Sequence, residues 1–313
     1  LHFSMKQWKG RSLISINEVS REDIIDVLER AKKIELLPKE KKELLLRNIV
    51  IANLFFEPST RTRLSFESAA VQLGAKVIGF ADPGSSSAVK GESLTDTIKM
   101  VENYASILVI RHPKEGAARL AATITKRVVI NAGDGANQHP TQTFLDLYTI
   151  KKSHKKISNL HVAVVGDLKY GRTVHSLAIA LSHFNCRLYF VSPEMLGMPT
   201  SICEQLEKKK IIFSYHNDIE EVIDKVDILY MTRIQKERFG DPLEYLRIKD
   251  SYVLREEMLK KAKQTMKILH PLPRVNEMER SIDQTKYAAY FDQAANGIPV
   301  RQAILTLVAG VKI

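Results

Sequence analysis

Residues 49–73 read IVIANLFFEPSTRTRLSFESAAVQL and join an apolar run to a helical pattern through a polar turn. The β-branched and aromatic residues of the first eight positions predict a buried strand, which Pro58 ends. Apolar side chains then recur at helical spacing up to Gly74, which suits a C-terminal cap. The turn between the strand and the helix therefore lies at a helix N-terminus.

This turn carries three hydroxyls and two guanidinium groups within five residues. Free backbone N–H groups and the positive end of a helix dipole attract anions at such a position. The pattern favours a phosphate-sized anion site that includes Ser59, Thr60, Arg61 and Thr62. The alternative is that Ser59 or Thr60 only caps the helix and the arginines lie in solvent.

Length and composition predict a soluble protein with two domains. The 313 residues exceed one typical core, and 44% are apolar and 27% charged, as in globular proteins. No apolar run approaches the ~18 residues of a membrane helix. The two cysteines, Cys186 and Cys203, form no metal or disulfide pattern. We therefore expect a cytoplasmic protein with reduced thiols, no metal and no membrane partner.

The net charge of +11 admits a nucleic-acid partner, but its distribution favours small anions. Lysines cluster at 39–42, 151–156 and 208–210, and such clusters are typical of solvated faces and linkers. Several arginines instead end apolar runs, where small anionic substrates would meet them. We therefore expect small molecules and no nucleic acid as partners.

Apolar runs and helical patterns alternate along the chain. The basic segment 151–158, KKSHKKIS, is the clearest change in composition, and we place a domain boundary there. After it, strands are expected at 162–165, 188–191, 211–213 and 228–231, with helices near 174–181 and 202–206. Repeated βα units predict an α/β protein with two domains, each a mainly parallel sheet flanked by helices in a Rossmann-like doubly wound arrangement.

Residues 166–173, GDLKYGRT, nearly form a nucleotide-binding P-loop. The pattern G-x-x-x-x-G-K-[ST] fails at Arg172, because a planar guanidinium does not replace a compact ammonium between two phosphates. A G-x-G-x-x-G fingerprint is also missing from the sequence. The sequence therefore disfavours a nucleotide site.

Six polar segments together resemble the aspartate and ornithine carbamoyltransferase family. They are STRTR at 59–63, an S-x-x-x-K pair in the loop 82–92, HPTQ at 139–142, GDLKYGRTVHS at 166–176, TRIQKER at 232–238 and HPLPR at 270–274. The matches run from about Asn53 to Arg301. The resemblance implies a carbamoyl-phosphate-binding domain at 5–150 and an aspartate-binding domain at 151–292. A C-terminal helix at about 293–313 would pack back on the first domain.

The resemblance also implies roles for individual residues. The carbamoyl-phosphate site would comprise Ser59, Thr60, Arg61, Thr62, Ser86, Lys90, Arg111, His139, Gln142, Leu272 and Pro273, with Ser86 and Lys90 supplied by a neighbouring subunit. The catalytic residues among them would be Arg61, Thr62, Lys90, Arg111 and His139. The aspartate site would comprise Lys90, Arg172, Arg233 and Gln235. The Leu272–Pro273 bond would be cis, with backbone carbonyls that accept hydrogen bonds from the substrates.

Two features favour the aspartate branch of this family. Relatives that use ornithine carry a cysteine at the position of Pro271 and a serine–methionine–glycine lid motif, and this sequence has neither. Aspartate carries two carboxylates, which suit the planar guanidinium groups of Arg172 and Arg233.

The resemblance therefore implies an enzyme that transfers the carbamoyl group of carbamoyl phosphate to the α-amine of L-aspartate, in pyrimidine biosynthesis and without a cofactor. It implies a homotrimer with shared active sites and leaves open whether regulatory chains and allosteric control join it. Alternatives of other classes are a non-catalytic scaffold and a basic nucleic-acid-binding protein. The intact polar motifs speak against the scaffold, and nucleic-acid binding would weaken steeply with salt.

Overall fold

Two parallel sheets, each flanked by helices, form the architecture of this chain. The computed structural model describes residues 5–81, 84, 90–234 and 252–313. The chain divides into two compact units: unit 1 is Leu1–Phe144 with Asn296–Ile313, and unit 2 is Leu145–Ala295. The predicted α/β class with two mainly parallel sheets is confirmed.

Unit 1 is built on a parallel sheet with helices packed against it. Its strands are β1 (Val50–Phe55), β2 (Lys76–Phe80), β3 (Ile107–His112) and β4 (Val128–Asp134). Its helices are α1 (Met5–Trp8), α2 (Arg21–Leu36), α3 (Lys39–Lys42), α4 (Thr60–Gln72), α5 (Leu94–Val101), α6 (Ala117–Ile124), the start of α7 (Pro140–His154) and α11 (Gly297–Val308). The described strands pair in the order β2-β1-β3-β4. Ala52, Leu108 and Val129 from this sheet share a buried apolar cluster with Ile98 of α5 and Ala118 of α6.

Unit 2 repeats the same plan. Its strands are β5 (His161–Val165), β6 (Arg187–Val191), β7 (Phe213–His216), β8 (Ile228–Met231) and β9 (Lys267–Leu269). Its helices are the remainder of α7, α8 (Arg172–Ser182), α9 (Thr200–Lys208) and α10 (Tyr290–Ala295). The described strands pair in the order β7-β6-β5-β8-β9, all parallel. Short 3-10 helices in the chain span Ile16–Glu18, Glu194–Leu196, Ile219–Glu221, Glu256–Lys261 and Arg280–Gln284.

The clearest difference between the predicted and the observed elements is the start of β7. The strand predicted from residue 211 begins at Phe213, because the Ile211 N–H donates to the Leu206 carbonyl at 3.0 Å and so closes the end of α9. Lys210 takes the left-handed conformation, with φ of 57°, that commonly ends a helix. The first residues of the basic segment belong to α7, which continues to His154, because lysine is a good helix former. In the described part of the chain, no helix has both the length and the apolar composition needed to cross a membrane.

A buried arginine in α11 joins three helices of unit 1. Arg301 is only 3% exposed, and its guanidinium donates to Ser65 Oγ at 3.0 Å and to Thr141 Oγ1 at 3.5 Å. The cation also lies 5.0 Å from the ring centre of Phe66. Ser65 and Phe66 belong to α4 and Thr141 to α7, so one side chain ties α11 to the second turn of α4 and the first turn of α7.

We expect Arg301→Met to destabilise unit 1, because the substitution keeps much of the side-chain volume but removes a charged donor from two hydroxyls. The loss should be about 2 kcal/mol, which corresponds to a melting temperature roughly 5 °C lower. Differential scanning calorimetry measures this shift. Arg47→Met, at an exposed position, serves as the matched control and should change the melting temperature little. Equal melting temperatures for both variants would contradict the role of Arg301.

Candidate active site

The turn between β1 and α4 places hydroxyl and guanidinium groups at a helix N-terminus. Ser59 is the N-cap residue, but within the described chain its side chain makes no capping hydrogen bond. Thr60 and Arg61 are exposed, whereas Thr62 is buried in the first turn of α4. The capping alternative therefore does not account for the Ser59 hydroxyl. The arrangement can accept an anion through the first N–H groups of the helix.

Arg111 lies beside this turn because β1 and β3 are neighbours. The register pairs Phe55 with Arg111, and the Phe56 N–H donates to the Arg111 carbonyl at 2.8 Å. Burial and the nearby Arg111 cation lower the pKa of the Arg61 guanidinium. Both guanidinium groups stay charged at neutral pH, so an anion placed between them would relieve their repulsion.

Glu57 is a residue of this site that the sequence reasoning missed. Its Oε1 accepts from Arg111 Nη2 at 2.5 Å and from Nε at 3.1 Å, and Arg111 Nη1 donates to the Ala132 carbonyl at 3.3 Å. The position of Glu57 one residue before Pro58, at the end of an apolar run, was the available signal. Glu57 therefore binds N–H groups of the Arg111 guanidinium to which an anion would otherwise bind.

A buried aspartate shapes the segment that leads from β4 to His139. Asp134 Oδ1 accepts from Asn131 Nδ2 at 2.9 Å and from the Gln138 N–H at 3.1 Å. Its Oδ2 accepts from the Gly116 N–H at 2.8 Å and from Asn137 Nδ2 at 3.0 Å. These four bonds fix the loop before α7, which begins at Pro140, so that the buried His139 precedes the helix directly.

His139 and Gln142 therefore lie at the start of α7, next to the carboxyl end of β4. The Gln142 N–H donates to the His139 carbonyl at 3.0 Å, and the Gln142 side chain is partly exposed. Lys90 also belongs to unit 1 and is exposed. The strands β1, β3 and β4 are consecutive in the sheet, so unit 1 brings the turn at Ser59, Arg111 and His139 to the same edge.

In unit 2, Arg172 and Arg233 follow the adjacent strands β5 and β8. Gly166 directly follows β5 with φ of 113°, and a Cβ there would lie 2.4 Å from the Thr232 carbonyl oxygen, so only glycine fits. The Thr232 N–H donates to the Val165 carbonyl at 2.9 Å, which fixes the chain just before Arg233. Arg172 begins α8, and both arginines are partly exposed.

Leu272 and Pro273 follow β9, the strand next to β8. The Leu272–Pro273 bond is cis, as predicted, and Leu272 has a left-handed backbone with φ of 54°. Both residues are accessible, Leu272 in part. Ser86 and Gln235 lie outside the described residues. Among the residues that the structure describes, no group of three or more His, Cys, Asp or Glu side chains is placed to hold a metal ion.

Comparison with known proteins covers nearly the whole chain. Residues 11–152 match "Aspartate/ornithine carbamoyltransferase, carbamoyl-P binding domain", and residues 158–308 match "Aspartate/ornithine carbamoyltransferase, Asp/Orn binding domain". This chain belongs to the aspartate/ornithine carbamoyltransferase family. The family that the sequence motifs indicated is thereby confirmed.

Individual relatives of this carbamoyltransferase are similar over most of their length. The aspartate carbamoyltransferase catalytic subunit of Thermococcus kodakarensis is 56% identical, with 97% of this chain and 98% of that protein covered. A crystal structure of the M. jannaschii aspartate transcarbamoylase catalytic subunit is 50% identical, with a TM-score of 0.88 and coverage of 95% and 97%. The Trypanosoma cruzi aspartate transcarbamoylase in complex with carbamoyl phosphate and aspartate is 36% identical, with a TM-score of 0.90 and coverage of 96% and 98%.

Since Glu57 competes with an anion for Arg111, we expect Glu57→Gln to bind inorganic phosphate about fivefold more tightly. Titration calorimetry at fixed ionic strength measures the dissociation constant. Glu67→Gln is a matched control, because Glu67 pairs at 3.6 Å with Arg63 on the same helix, and it should bind phosphate as the unaltered protein does. Weaker or unchanged binding by the Glu57 variant would contradict the competition.

Proposed function

We propose that this chain catalyses transfer of the carbamoyl group from carbamoyl phosphate to the α-amine of L-aspartate, giving N-carbamoyl-L-aspartate and phosphate. The observation that carries the proposal is the high identity, over almost the whole chain, to proteins named aspartate carbamoyltransferase catalytic subunits. Arginines at the strand ends of both units supply the positive charge that an acyl phosphate and a dicarboxylate require.

Unit 1 would hold carbamoyl phosphate. Ser59, Thr60, Arg61, Thr62 and Arg111 would bind the phosphate through hydroxyls, helix N–H groups and guanidinium groups. The first turn of α4 favours a doubly negative group at this place, and the repulsion between the two cations falls when it binds.

Transition-state stabilisation in unit 1 would come from Thr62, Arg111 and His139. These groups would donate to the carbamoyl oxygen as negative charge develops there in the tetrahedral intermediate. The loss of one such donor typically costs ~3 kcal/mol of barrier. Gln142 would orient the carbamoyl NH2 group.

Unit 2 would position the second substrate. Arg172, Arg233 and Gln235 would hold the carboxylates of aspartate and so direct its amine toward the carbamoyl carbon, while Leu272 and Pro273 would offer backbone carbonyls to the substrates. No side chain is assigned as a covalent nucleophile. None is assigned as a general base either, because the leaving phosphate can take the proton of the amine. Holding two reactants in line can supply roughly 7–11 kcal/mol, so positioning can carry much of the acceleration.

The active unit would be a homotrimer in which Ser86 and Lys90 of one subunit complete the site of its neighbour, with Lys90 reaching both substrates. Regulatory chains could join this trimer, and the catalytic-subunit names of the relatives support that arrangement. A cytoplasmic location is supported by Cys186 and Cys203, which are both buried and unpaired by disulfide in the described structure.

Incubation with carbamoyl phosphate and either aspartate or ornithine tests the reaction. We expect carbamoyl aspartate and phosphate in equal amounts with aspartate, and no citrulline with ornithine, because a cationic side chain would meet guanidinium groups in unit 2. Product analysis by mass spectrometry identifies the acceptor. Arg61→Met should lower turnover at least a hundredfold and provides the background control. Citrulline as the main product would contradict the proposal.

Mixing two inactive variants tests the shared site. We expect Lys90→Ala and His139→Ala each to lose almost all activity, and their mixture to recover about a quarter of the unaltered rate after the subunits exchange. In a cyclic trimer that contains both variants, one of the three sites joins an intact His139 to an intact Lys90. The control is each variant mixed with itself. A mixture with no recovery, despite hybrid trimers detected by native mass spectrometry, would rule out sharing.

A further inference from the structure

His270 connects two different parts of the segment after β9. It is 2% exposed, and its Nδ1 accepts from the Leu272 N–H at 2.8 Å. A backbone N–H can only donate, so Nδ1 carries no proton in this arrangement. The proton is on Nε2, which donates to Glu277 Oε1 at 2.7 Å. The two bonds together select one tautomer of the ring.

Glu277 keeps the ring in place from the far side. It is 4% exposed, and its Oε2 accepts from the N–H groups of Val275 and Asn276 at 3.0 and 3.1 Å. Burial opposes ionisation of this carboxyl, but the hydrogen bond from His270 and the backbone N–H groups hold its pKa below the usual value. Glu277 is therefore a pure acceptor, which requires the donor on the His270 side to be Nε2.

A chain of buried polar groups anchors the backbone of His270. Its N–H donates to Gln293 Oε1 at 2.8 Å, and Gln293 Nε2 donates to Asp146 Oδ1 at 2.7 Å. Tyr230 donates its hydroxyl to Asp146 Oδ2 at 2.8 Å, and burial and the Asp146 charge raise the pKa of that phenol, so it remains a donor. The chain links α7, β8 and α10 of unit 2 to the position of the imidazole.

We propose that His270 is a positioning residue that sets the backbone of Leu272, and hence its carbonyl, through the acceptor at Nδ1. Leu272 needs such support because a leucine rarely takes a left-handed backbone, and its φ is 54°. Its two neighbours are prolines without an N–H, so the Leu272 N–H is the one backbone donor of this short stretch. The inference rests on the proposed function, in which the Leu272 carbonyl contacts the substrates.

The competing explanation is that the His270–Glu277 pair only stabilises the fold. Two variants test the roles of the two ring nitrogen atoms separately. In His270→Asn the amide oxygen lies near the position of Nδ1 and can accept from Leu272, but the side chain is too short to reach Glu277. In His270→Gln the amide nitrogen can reach Glu277, but no acceptor remains at the position of Nδ1. The proposal predicts that activity and stability respond in opposite order in these variants.

We expect His270→Gln to lose at least about tenfold in kcat/KM for carbamoyl phosphate, and His270→Asn to stay within about threefold. His270→Asn should nevertheless melt at the lower temperature, because it leaves the buried Glu277 charge without its partner. His216→Gln is the matched control, since His216 Nδ1 lies 2.8 Å from Glu221 in another His–Glu pair of unit 2, and it should keep full activity.

Hydrogen exchange gives a readout that does not depend on catalysis. In the stretch 271–273 only Leu272 has an exchangeable amide, so mass spectrometry of peptides covering it reports that bond. We expect faster exchange in His270→Gln than in His270→Asn and the unaltered protein. Equal exchange in all three, full activity of the Gln variant or an equal loss in the Asn variant would overturn the proposal. If His270→Gln does not fold, the activity of His270→Asn and the protection of its Leu272 amide from exchange test the proposal by themselves.

The two hypotheses fail in distinguishable ways. If the unaltered protein makes no carbamoyl aspartate, the proposed function is wrong, and the exchange comparison still decides whether His270 holds Leu272. If the unaltered protein is active and the two variants lose activity in the order of their melting temperatures, only the positioning role is wrong.

Discussion

Parallel strand pairing is the constraint on which the rest of this structure depends. The carboxyl ends of parallel strands all lie at the same edge of the sheet. Beyond that edge the backbone groups no longer have hydrogen-bond partners on a neighbouring strand. In unit 1 this edge carries Arg111 and the helix starts at Thr60 and Pro140, and in unit 2 it carries the residues after β5, β8 and β9. Distant sequence segments meet at this edge because their strands are neighbours.

The positive charges gathered at the edge of unit 1 repel one another. Burial and, to a lesser extent, the nearby Arg111 cation lower the pKa of Arg61, and the helix dipole of α4 adds to the positive potential. Glu57 offsets part of this charge by binding Arg111. In the proposed site an incoming phosphate would have to displace or share that carboxylate, so Glu57 would weaken the affinity for anions.

The sequence revealed most of the fold because the strands are buried and apolar, with turns that contain glycine or proline. The runs at 49–56 and 228–231 gave strands close to their observed bounds. Local patterns failed at the exact end of a helix and where tertiary contacts decide. The start of β7 moved because Ile211 closes α9, and the pairing of Glu57 with Arg111 depends on two residues 54 positions apart. The motifs could be recognised, but the buried links behind them, such as Asp146 to Gln293, have no local signature.

Both units use the same local device at a strand end that the proposed site requires. At the end of β3, His112 Nδ1 accepts from the Lys114 N–H at 3.0 Å. Directly after β9, His270 Nδ1 accepts from the Leu272 N–H at 2.8 Å, and a proline lies between the two residues in each case. Because proline has no N–H, the next residue's amide is the first donor that the histidine can take. The difference lies on the other ring nitrogen. Nε2 of His270 donates to the buried carboxylate of Glu277, whereas the centre of the His112 ring lies 5.0 Å from that of the Phe56 ring. His270 is thus hydrogen-bonded through both ring nitrogens. Both bonds support the turn at Leu272, where the proposed function uses a backbone carbonyl rather than a side chain.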